Sequence, residues 1–127
     1  MQQHFQSRPH DVEKFLKKMN EIICSEDFDL NKHFILKKRK NDLSDNIYTN
    51  INTLQLLNYN TEDIIRELKN LSVNYYYETI IDTIGNECLL YAFIKKIKEE
   101  KIYIKLTIRN NKIIFCISFH VSKELSI

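Results

Sequence analysis

At 127 residues and 15.3 kDa, the chain is long enough to bury one hydrophobic core and too short for two ordinary ones, so a single domain over residues 1–127 is expected. Nineteen Lys and Arg against seventeen Asp and Glu leave a formal net charge of +2, too mild to argue nucleic-acid binding without looking at how charge is distributed. Cys24, Cys88 and Cys116 are odd in number, widely spaced and free of any CxxC pair, which speaks against a disulfide framework and against a zinc site.

The opening MQQHFQSRPH has no apolar h-region, and no segment approaches the ~20 apolar residues that a membrane span requires. A cytoplasmic protein with no membrane partner is expected. No metal or cofactor motif is present in the sequence.

The first predicted element is a helix over "DVEKFLKKMNEIIC", where Val12, Phe15, Leu16, Met19, Ile22 and Ile23 recur at helical spacing and Pro9 and Asp11 suit the first turn. Its Lys14, Lys17 and Lys18 read as a solvated face. "HFILKKRK" reads as a short strand ending in Lys37, Lys38, Arg39 and Lys40. That block is either a phosphate-binding cluster or solvated loop charge. Residues Asp42 to Asn50 form a polar connection. "NTLQLLNYNTEDIIRELKNL" predicts two helices, with Asn58 in the left-handed turn between them and Asn60 or Thr61 as the cap of the second. Ile64, Ile65, Leu68 and Leu71 give the second helix its buried stripe, and Glu62 and Arg66 sit at pairing distance. A DNA-reading helix-turn-helix is the alternative here, weakened because only Arg66, Lys69 and Asn70 suit base edges.

"VNYYYETIIDTIGNE" is aromatic and then turn-like around Gly85-Asn86; three adjacent tyrosines cannot all face one core, so some are available for stacking. "CLLYAFIKK" predicts a strand, and the chain then enters "KIYIKLTIRNNKIIFCISFH". The order is helix, strand, helices and a three-stranded antiparallel meander: an α+β fold.

In "KIYIKLTIR" Ile102, Ile104, Leu106 and Ile108 alternate with Tyr103, Lys105, Thr107 and Arg109. A two-residue turn at Asn110-Asn111 sets Ile108 opposite Ile113, Leu106 opposite Phe115, Ile104 opposite Ile117 and Ile102 opposite Phe119. The same register places Lys105 across from Cys116, Tyr103 across from Ser118 and Lys101 across from His120. Opposed Cβ atoms lie ~5 Å apart and diagonal ones ~7 to 8 Å, so Tyr103, Lys105, Ser118 and His120 converge on one polar face. If the connection from Lys95 to Tyr103 is also a hairpin, Lys95 approaches the patch as well. The bland reading is the wet side of a half-exposed sheet. A Ser-His nucleophile lacks an elbow motif and an orienting carboxylate. Metal binding by Cys116 and His120 fails on distance, since four residues of strand span ~13 Å.

The segments "FILKKRKN", "TLQLLNYNTEDII", "LSVNYYY", "LLYAFIKKIKEEKIYIKLTI" and "CISFH", in that order, resemble the MqsR family of toxins within the RelE-like group, in particular its clostridial-type members. The resemblance covers the C-terminal two-thirds. It implies a RelE/MqsR-like fold, with N-terminal helices on a small antiparallel sheet, and a ribonuclease that cuts mRNA and is neutralised by a cognate antitoxin. The family's functional positions fall on Tyr103, Lys105 and His120, with Lys95 and Tyr76 as weaker matches. The sequence departs from the family pattern at Ile94 and Glu99, where the family has glycines, and in the loop "ETIIDTIGNE".

The chemistry so implied is metal-independent: a base takes the proton of a ribose 2′-OH, that oxygen attacks the neighbouring phosphate, and an acid protonates the departing 5′ oxygen. His120 is the acid or base, Tyr103 donates or positions a proton, and Lys105, Lys95 and Arg109 stabilise the phosphorane. Two other classes stay open at this point: an RNA-binding module without chemistry, and a protein-interaction or inhibitor role for the tyrosine-rich and basic segments.

Overall fold

The computed structural model describes residues 2–37, 50–82 and 88–122. Lys38, Arg39 and Lys40, most of the polar connection from Asp42, and the Gly85-Asn86 turn lie outside them. The elements run β1 (Gln2–Phe5), α1 (Pro9–Ile23), α2 (Leu30–His33), β2 (Phe34–Leu36), α3 (Asn50–Leu57), α4 (Thr61–Lys69), a 3₁₀ turn (Val73–Tyr75), β3 (Tyr76–Asp82), β4 (Cys88–Ile97), β5 (Glu100–Arg109) and β6 (Ile113–Val121). Six strands form one sheet in the order β1-β3-β4-β5-β6-β2, antiparallel throughout except that β2 runs parallel to β6. The architecture is mixed α+β. β1, α2 and β3 add to the expected elements. Among the described residues no helix is long and apolar enough to cross a membrane.

The helices form where their caps and apolar spacing dictate. α1 opens on Pro9, has Asp11 in its first turn and buries Val12, Leu16, Met19 and Ile23. Phe15 stacks on Tyr91 of β4 at 4.3 Å, which fixes the helix over the sheet. Asn58, at φ 57, turns the chain between α3 and α4. Asn60 and Asp63 then cap each other reciprocally. Arg66 pairs with Asp63 at 2.8 Å, one step nearer in sequence than the expected Glu62. Ile64 and Leu68 are buried from this amphipathic face. These helical side chains share one core with Phe93, Ile102, Ile104, Leu106, Ile114 and Phe119 of the sheet. A second, smaller cluster of Ile80, Leu90 and Ala92, against which Tyr103 and Ile117 pack, belongs to the other sheet face.

Both hairpins of the meander turn on residues with positive φ. β4 and β5 are joined by Lys98 (φ 49) and Glu99 (φ 72), closing the pair Ile97 and Glu100. β5 and β6 are joined at Asn110 (φ 55) and Asn111 (φ 56), the expected turn, but Lys112 is a third loop residue and Arg109 faces Ile113. A side chain with a Cβ pays a steric penalty at positive φ that glycine escapes. Glu99→Gly should therefore raise stability by about 1 kcal/mol in denaturant unfolding; a neutral or destabilising result would show that Glu99 is held there by contacts that outweigh its backbone strain.

Candidate functional site

The register of β6 departs from expectation twice. Lys112 first shifts the pairing by one residue, so that Leu106 faces Cys116 and Ile108 faces Ile114. Ile114 and Cys116, rather than Ile113, Phe115 and Ile117, therefore enter the helix-side core. A bulge then intervenes between Leu106 and Lys105, with Ile117 as the extra residue, and the pairing resumes as Lys105 with Ser118, Ile104 with Phe119, Tyr103 with His120 and Ile102 with Val121. The second shift reverses the facing of the first. Phe119 and Val121 point to the core, and Ser118 and His120 point to the opposite face beside Lys105 and Tyr103.

The polar face assembled in this way carries the candidate site. Tyr103 and His120 are direct cross-strand partners, their rings stacked at 5.6 Å and 28°. His120 Nδ1 lies 3.0 Å from the Val121 carbonyl oxygen. A carbonyl only accepts, so Nδ1 carries the proton of the neutral ring and the lone pair sits on Nε2. Lys105 is two residues along the same face of β5, opposite Ser118, and Ser118 is buried. Tyr77 sets its ring edge-on to Tyr103 at 6.3 Å and 80°. It occupies the irregularity between Tyr76 and Glu78.

Glu78 adds a carboxylate to this face that the sequence did not single out. It pairs with Ala92, which pairs with Lys105, so Glu78, Ala92, Lys105 and Ser118 form one row across four strands. Glu78 also meets His4 Nδ1 at 2.8 Å. The small Ala92 keeps the row low between Glu78 and Lys105, whose strands lie ~10 Å apart.

The remaining expected site residues lie elsewhere. Lys95 pairs with Ile102, a core residue, and so projects from the helix face rather than into the patch. Its Nζ meets Glu67 Oε1 at 2.9 Å and stands over the Tyr75 ring at 5.2 Å. Tyr76 is likewise on the helix face: its ring packs edge-on to Phe93, and its hydroxyl lies 2.5 Å from Thr79 Oγ1 and accepts from the Ser7 amide. Arg109 shares the face of Tyr103 but lies over Phe115 near the turn, six residues or ~20 Å along β5. Lys37 follows the edge strand β2, its side chain exposed. Of the residues suited to DNA base edges, Arg66 is paired with Asp63, and Asn70 donates to the Arg66 carbonyl.

On the helix face, Tyr59 donates to Glu67 Oε2 at 2.5 Å while Lys95 holds the other oxygen. Burial pushes the Glu67 carboxyl up, but the hydrogen bonds from Tyr59 and Lys95, with the charges of Lys95 and Arg66, outweigh it and hold the group below its ordinary value. Burial and the bond to Glu67 raise the Tyr59 phenol. A lowered folded-state value means that Glu67 adds stability above its unfolded pKa and loses it as pH falls through the folded one. Unfolding free energy should therefore drop below about pH 4.3 in the wild type. Glu67→Gln should cost on the order of 1–3 kcal/mol at pH 7 and flatten that acid limb; a variant with an unchanged acid limb would remove Glu67 as its source.

Among the described residues no three His, Cys, Asp or Glu side chains are grouped to hold a metal ion. Comparison of the chain with protein-family models, with curated proteins and with solved structures finds no match.

Proposed function

We propose that the chain is a metal-independent endoribonuclease of the RelE/MqsR type, the mRNA-cutting toxin of a type II toxin–antitoxin pair, acting in the cytoplasm and neutralised by a cognate antitoxin protein. The observation that carries this reading is the stacked Tyr103–His120 pair with Lys105 beside it, on the sheet face away from the helices. The sequence resemblance suggests the family, and in support a phenol and an imidazole are stacked on one sheet face with an ammonium two residues along the same strand.

In this mechanism His120 Nε2 takes the 2′-OH proton, the 2′ oxygen attacks phosphorus and the bond to the 5′ oxygen breaks. Tyr103, stacked on the imidazole, positions it and supplies a proton donor near the leaving oxygen. The Lys105 ammonium offsets the charge that gathers on the phosphorane. DNA is spared because it has no 2′-OH. Tyr77, standing edge-on to Tyr103, extends an aromatic platform on which a splayed base can stack.

That pair of tyrosines also favours a second reading, an RNA-binding protein of the same fold without chemistry, which would bind RNA with steep salt dependence and leave it intact. Incubating the purified protein with defined RNA and matched DNA separates the two. Catalysis predicts RNA cut to 2′,3′-cyclic phosphate ends and DNA untouched. His120→Ala and Tyr103→Phe should each lower the single-turnover rate on the order of 10²-fold or more; wild-type rates in both would strip these residues of their roles, and intact RNA would leave the binding reading.

A further inference from the structure

The face that His120 presents is a matter of parity. Side chains alternate along a strand, so a slip of one residue moves every following side chain to the other face. Had β6 continued in the register of Leu106 with Cys116, Tyr103 would face Phe119, and His120 would face Ile102, whose side chain is fully buried in the helix-side core. The bulge at Ile117 prevents this.

One side chain spans that bulge. β2 pairs with β6 only as far as Cys116, whose carbonyl accepts from the Lys37 amide. Beyond that point, among the described residues, the first residue of α3 bonds this edge of β6. Asn50 Nδ2 donates to the carbonyls of Lys37 at 2.9 Å and Ile117 at 3.1 Å, while Asn50 Oδ1 accepts from the Phe119 amide at 2.8 Å. Asn50 is buried, with 7% of its surface exposed. One turn further along α3, Thr53 Oγ1 accepts from the Val121 amide at 3.1 Å.

The side-chain amide thus bonds the strand on both sides of Ser118, holding the carbonyl of the extra residue and the amide of the second residue after it. The pattern needs two donated hydrogens and one acceptor on a single short side chain, as asparagine provides. An aspartate of the same shape would place an acceptor against two carbonyls.

We infer that Asn50 is a positioning residue of the candidate active site: by bonding across the Ile117 bulge it selects the register that turns His120 away from the core and stacks it on Tyr103. This rests on the reading of His120 and Tyr103 as the reacting pair, while the ring contact through which it is tested can be observed whether or not RNA is cut.

The wild-type protein tests the clamp first. The Asn50 side-chain amide protons should exchange with solvent as slowly as β5–β6 backbone amides, and nuclear Overhauser contacts should join the Tyr103 and His120 rings. In Asn50→Asp and Asn50→Ala those inter-ring contacts should vanish and kcat on RNA should fall on the order of 10²-fold with little change in KM. Ile64→Val, a core change on α4 that removes none of the Asn50 bonds, should keep both. Folded Asn50 variants that retain the inter-ring contacts overturn the inference. Should those variants fail to fold, fast exchange of the wild-type Asn50 side chain overturns it equally, and slow exchange with the ring contacts present upholds it. Absence of RNA cleavage by the wild-type protein sinks the proposed function alone.

Discussion

The place of Ser118 and His120 beside Lys105 and Tyr103 follows from the parity of β6. An antiparallel hairpin has two solutions for each residue, in or out, and the apolar content of "IIFCISFHV" does not by itself choose between them. Ile113, Phe115 and Ile117 would fill a core as well as Ile114 and Cys116 do. The choice is made by two local departures from regular pairing, one loop residue at Lys112 and one bulge residue at Ile117. Each inverts the facing, and together they leave the end of the strand oriented as an uninterrupted hairpin would have left it. Among the described residues β2 pairs with β6 only as far as Cys116, and the buried backbone groups beyond it need other partners. The polar side chains at the start of α3 meet this need, which ties a helix terminus to the strand that carries the imidazole.

The opposite face is secured by different chemistry. Lys95, Glu67 and Tyr59 join β4, α4 and the turn before α4 in one half-buried network, and Lys98 completes it by donating to the Leu57 carbonyl and standing over the Tyr59 ring. A half-buried ion pair adds little net stability against an apolar alternative, but breaking one side of it is expensive. Such a network fixes the angle of α4 on the sheet more than it deepens the fold. The protein thus divides its basic and aromatic residues: Lys95, Tyr59, Tyr75 and Tyr76 serve the helix layer, while Lys105, Tyr103 and Tyr77 lie on the face away from it.

Much of this was legible in the sequence because local signals agreed with the global arrangement. α1, α3 and α4 announced themselves by apolar spacing and by Asn58 and Asn60, β4 by its apolar content and β5 by alternation. Convergence of Tyr103, Lys105, Ser118 and His120 was also foreseen, although from a register wrong by one residue and then by two, and two errors of parity cancel. β1 was missed because "QQHF" has no strand pattern, and β3 because the irregularity at Tyr76 to Glu78 breaks its alternation. The family resemblance points to Tyr76, but the irregularity puts Tyr77 beside Tyr103 and leaves Tyr76 on the helix face. Lys95 was misplaced because its face depends on the parity of a turn, and no local propensity distinguishes a lysine over solvent from one over a buried glutamate. Asn50 stood at the end of a polar stretch, where nothing in the sequence marks an amide that will bridge two strands.

Cys116 lies one residue before the bulge, wholly buried, its sulfur donating to the Ser118 carbonyl at 3.3 Å and its thiol pushed far up by burial. A thiol so placed is inert toward alkylation and oxidation, whereas Cys24 is exposed. The chain therefore holds a latent chemical clock at the heart of the strand that carries His120: after Cys24 and the half-exposed Cys88 have been capped, the pace at which Cys116 becomes modifiable records how often β6 comes unseated.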